Sequence, residues 1–517
     1  MSRFVDRQRD LADLNRLLDR QGAQFLLVYG RRRVGKTTLL TRWAADDTAR
    51  RGEPFMYWVA SRNTPAVLRQ GLAEAVWRWQ AQSQASHRLA QQPQRQGESQ
   101  TPGESQTRPD PSAIQAMAGD MPIFPTWPSL FQHIARTVGN RRVILIMDEF
   151  SYAMESSPPL ASELQNAWDH PFRDSNIFLV IAGSHVGMME QLQRYQSPLY
   201  GRFTARLLVE PLPFGALAEF FPRYSAAERV AVYAILGGLP GYLERFDDRQ
   251  TLKANVQAQI FDRTGLFCLE PFALIGDEVH EPRNYIAILR AIAEGNHTIE
   301  SIAQASGLQR TNAGGRYLKR LQELHLVERR VPATVPRDQR TTAGRYYLQD
   351  NYLRFYFRFI QPNLDLLELG LLDELWEIIN AQMRAFIGQY AFEDLCREWI
   401  LVQARAGRLP FRPQQVGGHW AANAQVDVVA VNWREKAILL GEAKWGTDPL
   451  GRPVVRELVE KAPHVTPGSD WSVHYAFFSR AGFTDAARQE AAACNALLVD
   501  LPTLDQDLRR EASLDGL

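Results

Sequence analysis

Eight consecutive residues, Gly30-Arg31-Arg32-Arg33-Val34-Gly35-Lys36-Thr37, combine the residue types that a bound phosphate demands. Glycines let the backbone wrap closely around an anion, and free amide N–H groups at the start of a helix point at its charge. A lysine reaches the terminal phosphates of a nucleotide, and a hydroxyl beside it ligates Mg²⁺. The spacing is GxxxxGK[ST], with the apolar run FLLVY before it and the helical stretch TTLLTRWA, containing Thr38, after it. Lys36 is therefore assigned to the β- and γ-phosphates and Thr37 to the metal, with residues 30–38 forming the nucleotide cradle. A second apolar run, Val143–Met147, ends in Asp148-Glu149. A buried strand ending in that pair puts Asp148 on the magnesium shell and Glu149 beside the attacking water, which favours hydrolysis over nucleotide sensing. ATP and Mg²⁺ are the expected cofactors.

A second set of charged residues lies near the other end of the chain. Asp427 sits in the apolar run VDVVAV, and Glu442-Ala443-Lys444 closes AILLGEAKW. With six lysines and 58 acids in 517 residues, one [DE]xK triplet is about what composition supplies, so the triplet alone decides nothing. Geometry adds weight. A four-residue loop, Trp433–Lys436, would pair Asp427 with Glu442 on antiparallel strands, roughly 5 Å apart at Cβ. Strand alternation then places Lys444 on the face of Glu442. Two carboxylates at the end of apolar strands are costly unless they bind a cation. Mg²⁺ or Mn²⁺ would suit them, and Lys444 could orient or help deprotonate a water. His419, His464 and His474 lack ligand spacing and read as surface or core residues.

The elements that must hold these groups follow from the pattern of the chain. Short β-rich runs at Gln24–Tyr29, Phe55–Ala60, Arg142–Met147, Asn176–Ala182 and Ala205–Val209 alternate with helical stretches, as in a parallel α/β sheet. Residues 80–112 are rich in Gln, Ser, Pro and Gly with Leu89 as the sole large aliphatic, and are expected to be a disordered surface insertion. Net charge is only +1, so any nucleic-acid contact must come from a local patch. One exists. Residues 282–348 carry 11 Arg/Lys against 5 Asp/Glu, in three helical periods followed by two β-like pieces, the outline of a winged helix-turn-helix. Arg310, Arg316, Lys319 and Arg320 fall on its third helix, and Arg329, Arg330, Arg337 and Arg340 around its wing. DNA phosphate contact is one reading of this patch. Three distant cysteines argue against a disulfide framework or zinc site. MSRFVDRQRD has no apolar signal core and the apolar runs are too short to span a bilayer, so a cytoplasmic protein without membrane contact is expected.

Six pieces carry a resemblance. FVDRQRDLADLNRLL, GRRRVGKTTLL, VILIMDEF, FLVIAGS, PLYGRF and GGLPGYL, in this order over residues 1–245, resemble the archaeal-type P-loop ATPases of the AAA-like, STAND-related group. The resemblance implies a polar sensor at Ser184, a phosphate-reaching charge at Arg202, and a turn at Pro240 set against the nucleotide base. It also implies the other reading of the basic patch at residues 282–348, an internal clamp on nucleotide. Residues 385–505 resemble the PD-(D/E)xK nuclease superfamily, with Glu393 in YAFEDLCREWI as the helical acid that joins Asp427 and Glu442 at the metal; Val426 stands where the leading Pro would be. The implied organisation is α/β and multidomain: a P-loop ATPase domain at 1–210, a helical lid at 211–281, a winged helix at 282–349, a helical connector at 350–390 and a restriction-endonuclease-like domain at 391–517. The expected function is ATP hydrolysis coupled to DNA binding and metal-dependent cleavage, with Glu149, Lys36, Asp427, Glu442 and Lys444 catalytic. The alternative is a STAND-like regulatory ATPase or DNA-binding scaffold, with self-association or an unknown protein partner, in which the nuclease-like domain is non-catalytic.

Overall fold

The computed structural model describes residues 4–90, 122–279, 281–308 and 311–514. These divide into two compact units, residues 7–210 and residues 211–514, the latter joined by residues 4–6.

In the first unit, β1 (Gln24–Tyr29), β2 (Met56–Val59), β3 (Val143–Asp148), β4 (Ile177–Gly183) and β5 (Ala205–Leu208) form one sheet in the order β2-β3-β4-β1-β5. Every pairing in it is parallel. β1, β3 and β4 are buried at every position, as central strands must be when helices cover both faces, which is why they read as unbroken apolar runs. Because the strands are parallel and adjacent, the carboxyl ends of β3, β4 and β1 emerge along one edge, bringing residues 148, 184 and 30 together.

The helix Pro65–Ala90 follows β2. Leu68, Leu72, Val76 and Trp79 recur at helical spacing and are buried against the sheet's core. Trp79 Nε1 donates to the Pro54 carbonyl at 2.9 Å and Ser83 Oγ to Glu53 Oε1 at 3.1 Å. These anchors carry the helix past residue 80, so residues 80–90 are helical where composition alone suggested an irregular insertion. The rest of that insertion, 91–112, lies outside the described residues.

The second unit begins with helices. Ala226–Leu236 opens with a capping box, the Ser225 hydroxyl accepting from the Glu228 N–H while the Glu228 carboxylate accepts from the Ser225 N–H. It ends at Gly237-Gly238, where the Gly238 carbonyl accepts from Leu212 N–H at 2.7 Å. A Cβ on Gly238 would fall 1.8 Å from the Leu212 carbonyl oxygen, so only glycine permits this approach. Pro240 then starts the one-turn helix Pro240–Leu243. Helices Pro282–Ala293, Ile299–Ala305 and Thr311–Glu323 precede an antiparallel hairpin, β6 (Val327–Arg330) with β7 (Arg345–Leu348). Two further helices, Leu372–Ile387 and Glu393–Arg405, lead to the second sheet.

That sheet contains β8 (Gln415–Trp420), β9 (Gln425–Asn432), β10 (Ala437–Lys444), β11 (Ser472–Ser479) and β12 (Leu497–Asp500), in the order β12-β11-β10-β9-β8. It is mixed: β8, β9 and β10 run antiparallel in turn, and β10, β11 and β12 run parallel. The helices Arg452–Val465 and Asp485–Ala493 make the two parallel crossovers. The helix Leu501–Leu514 returns to the start of the unit. Its Asp505 takes both oxygens onto Arg229 at 2.7 and 2.8 Å, and its Asp507 accepts from Trp399 and Gln403. Among the described residues no helix is long and apolar enough to cross a membrane.

Candidate functional site

The phosphate-type loop joins β1 to the helix Lys36–Arg51. Gly30 is forced by proximity, since a Cβ there would lie 2.4 Å from the Val209 carbonyl oxygen, and Gly35 turns the chain into the helix at φ +97°. Arg7 fastens the loop from outside, donating to the Val34 carbonyl at 2.9 Å. Lys36 is almost wholly buried, and its Nζ donates to the carbonyls of Gly30 at 2.8 Å and Arg31 at 3.2 Å. Burial pulls its ammonium down to about 8 against the attraction of Glu149 and Asp148.

Three neutral donors hold Asp148, itself buried at the end of β3. Thr37 Oγ1 and the Tyr57 hydroxyl donate to its Oδ2 at 2.6 and 2.9 Å, and the Glu149 N–H donates to its Oδ1 at 2.9 Å. A buried carboxylate held by hydroxyl and amide donors, beside a threonine hydroxyl, is a donor set suited to a hard divalent ion. Glu149 sits in the left-handed region at φ +50°. Its Oε2 accepts from Ser184 Oγ at 2.7 Å and, more weakly, from Ser184 N–H at 3.4 Å. Lys36, Thr37, Asp148, Glu149 and Ser184 thus meet at one edge of the sheet. Tyr57 and Arg7 were missed by sequence reasoning. Finding Tyr57 needs the knowledge that β2 pairs with β3, since Val59 lies opposite Asp148 and Tyr57 two residues back.

Arg32 donates to the Tyr152 hydroxyl at 2.8 Å. Arg202 departs from the phosphate role implied for it. It precedes β5, whose Ala205 pairs with Leu26, so at least about 13 Å of strand separates it from Gly30. There its guanidinium forks onto Asp169 at 2.9 to 3.1 Å. Pro240 belongs to the second unit.

The second cluster lies on β9, β10 and the start of the helix Glu393–Arg405. The β9–β10 ladder runs from Ala437 opposite Asn432 to Gly441 opposite Val428, and its next step sets Glu442 opposite Asp427. Asp427 Oδ2 accepts from Ala443 N–H at 3.1 Å, and Lys444 Nζ donates to Glu442 Oε1 at 2.6 Å. Arg397 ties in the helix: its Nη2 donates to Glu393 Oε2 at 2.8 Å and its Nε to the Asp427 carbonyl at 2.9 Å. Burial, and then the negative charge of Asp427, push Glu393 up to about 8 and raise Glu442 for the same reasons. Lys444 is raised: burial opposes its charge, but the Glu442 carboxylate outweighs it. Among the described residues no three His, Cys, Asp or Glu side chains form a ready-made metal cage. The crowded, partly desolvated carboxylates instead suit a cation held by one or two of them and by water. His419 pairs with Thr334 at 2.8 Å and His474 packs on Phe411, both apart from the carboxylates.

Arg310 lies outside the described residues, and the other basic side chains of residues 282–348 do not share one environment. Arg316 and Lys319 on the helix Thr311–Glu323 are exposed. Arg329 donates to the Thr341 carbonyl at 2.7 Å, and Arg330 is occupied by Asp394 and Glu328. Arg330 is therefore not free for a phosphate, contrary to its reading as a wing cation.

Residues 4–246 match the family described as an ATPase domain predominantly from Archaea. Residues 356–455 match a family of archaeal and bacterial proteins of unknown function. An uncharacterized protein of Methanocaldococcus jannaschii is 30% identical over 480 residues, spanning 92% of this chain and 95% of its own. Among solved structures, a Walker-type ATPase of Pyrococcus abyssi shares 20% identity over 69% of this chain and 96% of its own, with a TM-score of 0.46. The ORC2 protein of Aeropyrum pernix in its ADPNP–ADP complexes shares 14% over 74% of this chain and 98% of its own, with a TM-score of 0.41. The chain belongs to the family of the Methanocaldococcus protein, and its amino-terminal part is the P-loop ATPase domain found predominantly in Archaea.

Proposed function

We propose that this ATPase couples its nucleotide state to DNA binding through residues 282–348 and to metal-dependent phosphodiester cleavage at Asp427, Glu442 and Lys444. In the ATPase domain Lys36 would turn from the loop carbonyls to the β- and γ-phosphates, and Thr37 and Asp148 would hold Mg²⁺. Glu149 takes a proton from the attacking water, after Ser184 releases its carboxylate and turns to the γ-phosphate. Bound metal would neutralise phosphate charge at either site.

The observation that carries the cleavage reading is that Asp427 and Glu442 follow directly on the Val428–Gly441 pair of adjacent strands, with Asp427 held by Ala443 N–H, Lys444 bonded to Glu442 and Glu393 joined to the Asp427 carbonyl through Arg397. Asp427 and Glu442 would hold the ion, Glu393 would reach it through water, and Lys444 would orient the attacking water or steady charge on the phosphate. We read residues 282–349 as a winged helix and residues 391–517 as a restriction-endonuclease-like domain. The exposed Arg316 and Lys319 supply the phosphate contact. One observation favours the second reading, a regulatory ATPase with a silent domain: Arg397 and Lys444 already neutralise Glu393 and Glu442.

Cleavage of single-stranded, double-stranded and branched DNA decides between them. With Mg²⁺ or Mn²⁺ the parent is expected to cut, and EDTA or Asp427→Ala to abolish cutting while DNA affinity stays within about twofold, because each carboxylate removed takes away both a ligand and a charge. Cleavage that survives both treatments, or a parent inert on every substrate with and without ATP, overturns the nuclease reading.

A further inference from the structure

A chain of ion pairs runs from the hairpin to the carboxylate cluster, and neither nucleotide hydrolysis nor phosphate contact accounts for it. Arg330, the last residue of β6, forks onto Asp394, with Nη1 on Oδ1 at 2.9 Å and Nη2 on Oδ2 at 3.0 Å. Asp394 Oδ1 also accepts from Arg397 Nη1 at 2.5 Å. Arg397 also donates from Nη2 to Glu393 Oε2 and from Nε to the Asp427 carbonyl. Burial opposes the charge on Asp394, yet Arg330 and Arg397 hold its carboxyl far below the usual range.

The hairpin is fixed beside this chain by separate contacts. Ala333 N–H donates to the Gly418 carbonyl at 2.8 Å, Trp420 Nε1 donates to the Ala343 carbonyl at 2.8 Å, and Arg345 lies over the Trp420 ring. Those partners belong to β8, the neighbour of β9, which carries Asp427.

We propose that Arg330 is a positioning residue for the carboxylate site: it fixes Asp394, Asp394 orients Arg397, and Arg397 holds Glu393 against Asp427, so the hairpin sets the cation affinity of the cluster. This rests on the reading of Asp427 and Glu442 as cation-holding groups. The guanidinium is planar, so the direction of its Nη1 fixes the directions of Nη2 and Nε. While Arg330 occupies both oxygens of Asp394, Arg397 takes only one of them and keeps Nη2 for Glu393. Without Arg330, Asp394 is free to take both amino groups of Arg397. Glu393 then loses its bridge to the strand, and the carboxylates lose the charge of Arg330. Groups that orient metal-holding side chains in this way are commonly worth 10- to 100-fold in affinity.

The test is Mn²⁺ binding to the full chain without nucleotide, followed by electron paramagnetic resonance, with Asp427→Ala identifying the site. The parent is expected to show binding that Asp427→Ala removes, and Arg330→Ala to weaken it about tenfold. Arg330→Lys keeps the charge, loses the fork and is expected to fall between them. Asp394→Asn should match Arg330→Ala, and the double variant should be no weaker than either, because both act on one chain. If Arg330→Ala fails to fold, the Lys and Asn variants give the same answer. Absence of any Asp427-dependent binding in the parent overturns the cation reading of the cluster and this inference with it. Asp427-dependent binding that is equal in the parent, Arg330→Lys and Asp394→Asn leaves the cation reading standing and overturns the role of Arg330 alone.

Discussion

A lysine whose ammonium rests on backbone carbonyls in a buried loop is a charge waiting for a stronger partner. Burial pulls Lys36 down to about 8 from an ordinary value of 10.5, so the folded chain binds this proton less tightly than the unfolded chain does. The sign follows: the unliganded fold is penalised below about pH 8 and relieved as pH rises from there toward 10.5. A triphosphate placed against the ammonium reverses the shift, since an opposite charge favours the protonated form. Nucleotide binding near pH 8.5 is therefore expected to take up a large fraction of one proton at Lys36, and near pH 6.5 close to none at Lys36, where only the terminal phosphate of the nucleotide itself exchanges a proton. Calorimetry in two buffers of different ionisation enthalpy measures that uptake directly. Near-zero uptake at the higher pH would show that the ammonium does not turn to the phosphates. At this scale the place of the loop between strand and helix was legible, because GxxxxGK[ST] and a strand ending in Asp-Glu are local signals, whereas the Arg7 that fastens it was not. Tyr57 was not, because its contact with Asp148 depends on which strands are neighbours.

Elements were legible where burial is simple. β1, β3 and β4 are covered on both faces and read as apolar runs, and the short loop Trp433–Lys436 sets the β9–β10 register, whose last pair, Gly441 with Val428, lies one step before residues 442 and 427. Legibility failed where tertiary anchors override local composition. The helix Pro65–Ala90 continues into a Gln-rich stretch because Trp79 and Ser83 hold it, and Arg202 is taken by Asp169 at the far edge of its sheet. The helix Leu501–Leu514 shows how elements far apart in sequence are locked. Arg229 and Asp505 are both buried and joined bidentately, and Arg229 also donates to the Tyr224 carbonyl. Such a pair gains little over a well-packed apolar replacement, but breaking it leaves a buried charge alone. Asp505→Ala is thus expected to destabilise the second unit by about 3 kcal/mol, while Arg229→Met with Asp505→Leu should recover most of that loss. Denaturant titration compares the two. A single variant as stable as the parent would mean the helix is held by its Asp507 contacts and apolar packing alone.

For the whole molecule the governing fact is that the charge is balanced overall and uneven locally. A net +1 provides no general attraction for a polyanion, so any DNA binding by residues 282–348 must rest on particular side chains. The ion pairs sort those side chains: Arg330 is bound to Asp394 and Glu328, whereas Arg316 and Lys319 face solvent. This division was beyond sequence reading, since Arg330 and Asp394 lie 64 residues apart. It makes the salt dependence of binding a selective probe. Each phosphate neutralised releases condensed counterions, and the slope of log K against log salt falls by roughly 0.9 per contact on duplex DNA. Replacing Arg316 and Lys319 together by Ala is expected to reduce the slope by about 2 and to weaken binding most at low salt. Arg330→Lys is expected to leave the slope unchanged, because its partner is a carboxylate of the same chain and no counterion is released through it. A double variant with the parent's slope would remove the helix Thr311–Glu323 as the DNA contact and favour its reading as an internal clamp on nucleotide. A slope lowered by Arg330→Lys instead would show that DNA takes this arginine away from Asp394.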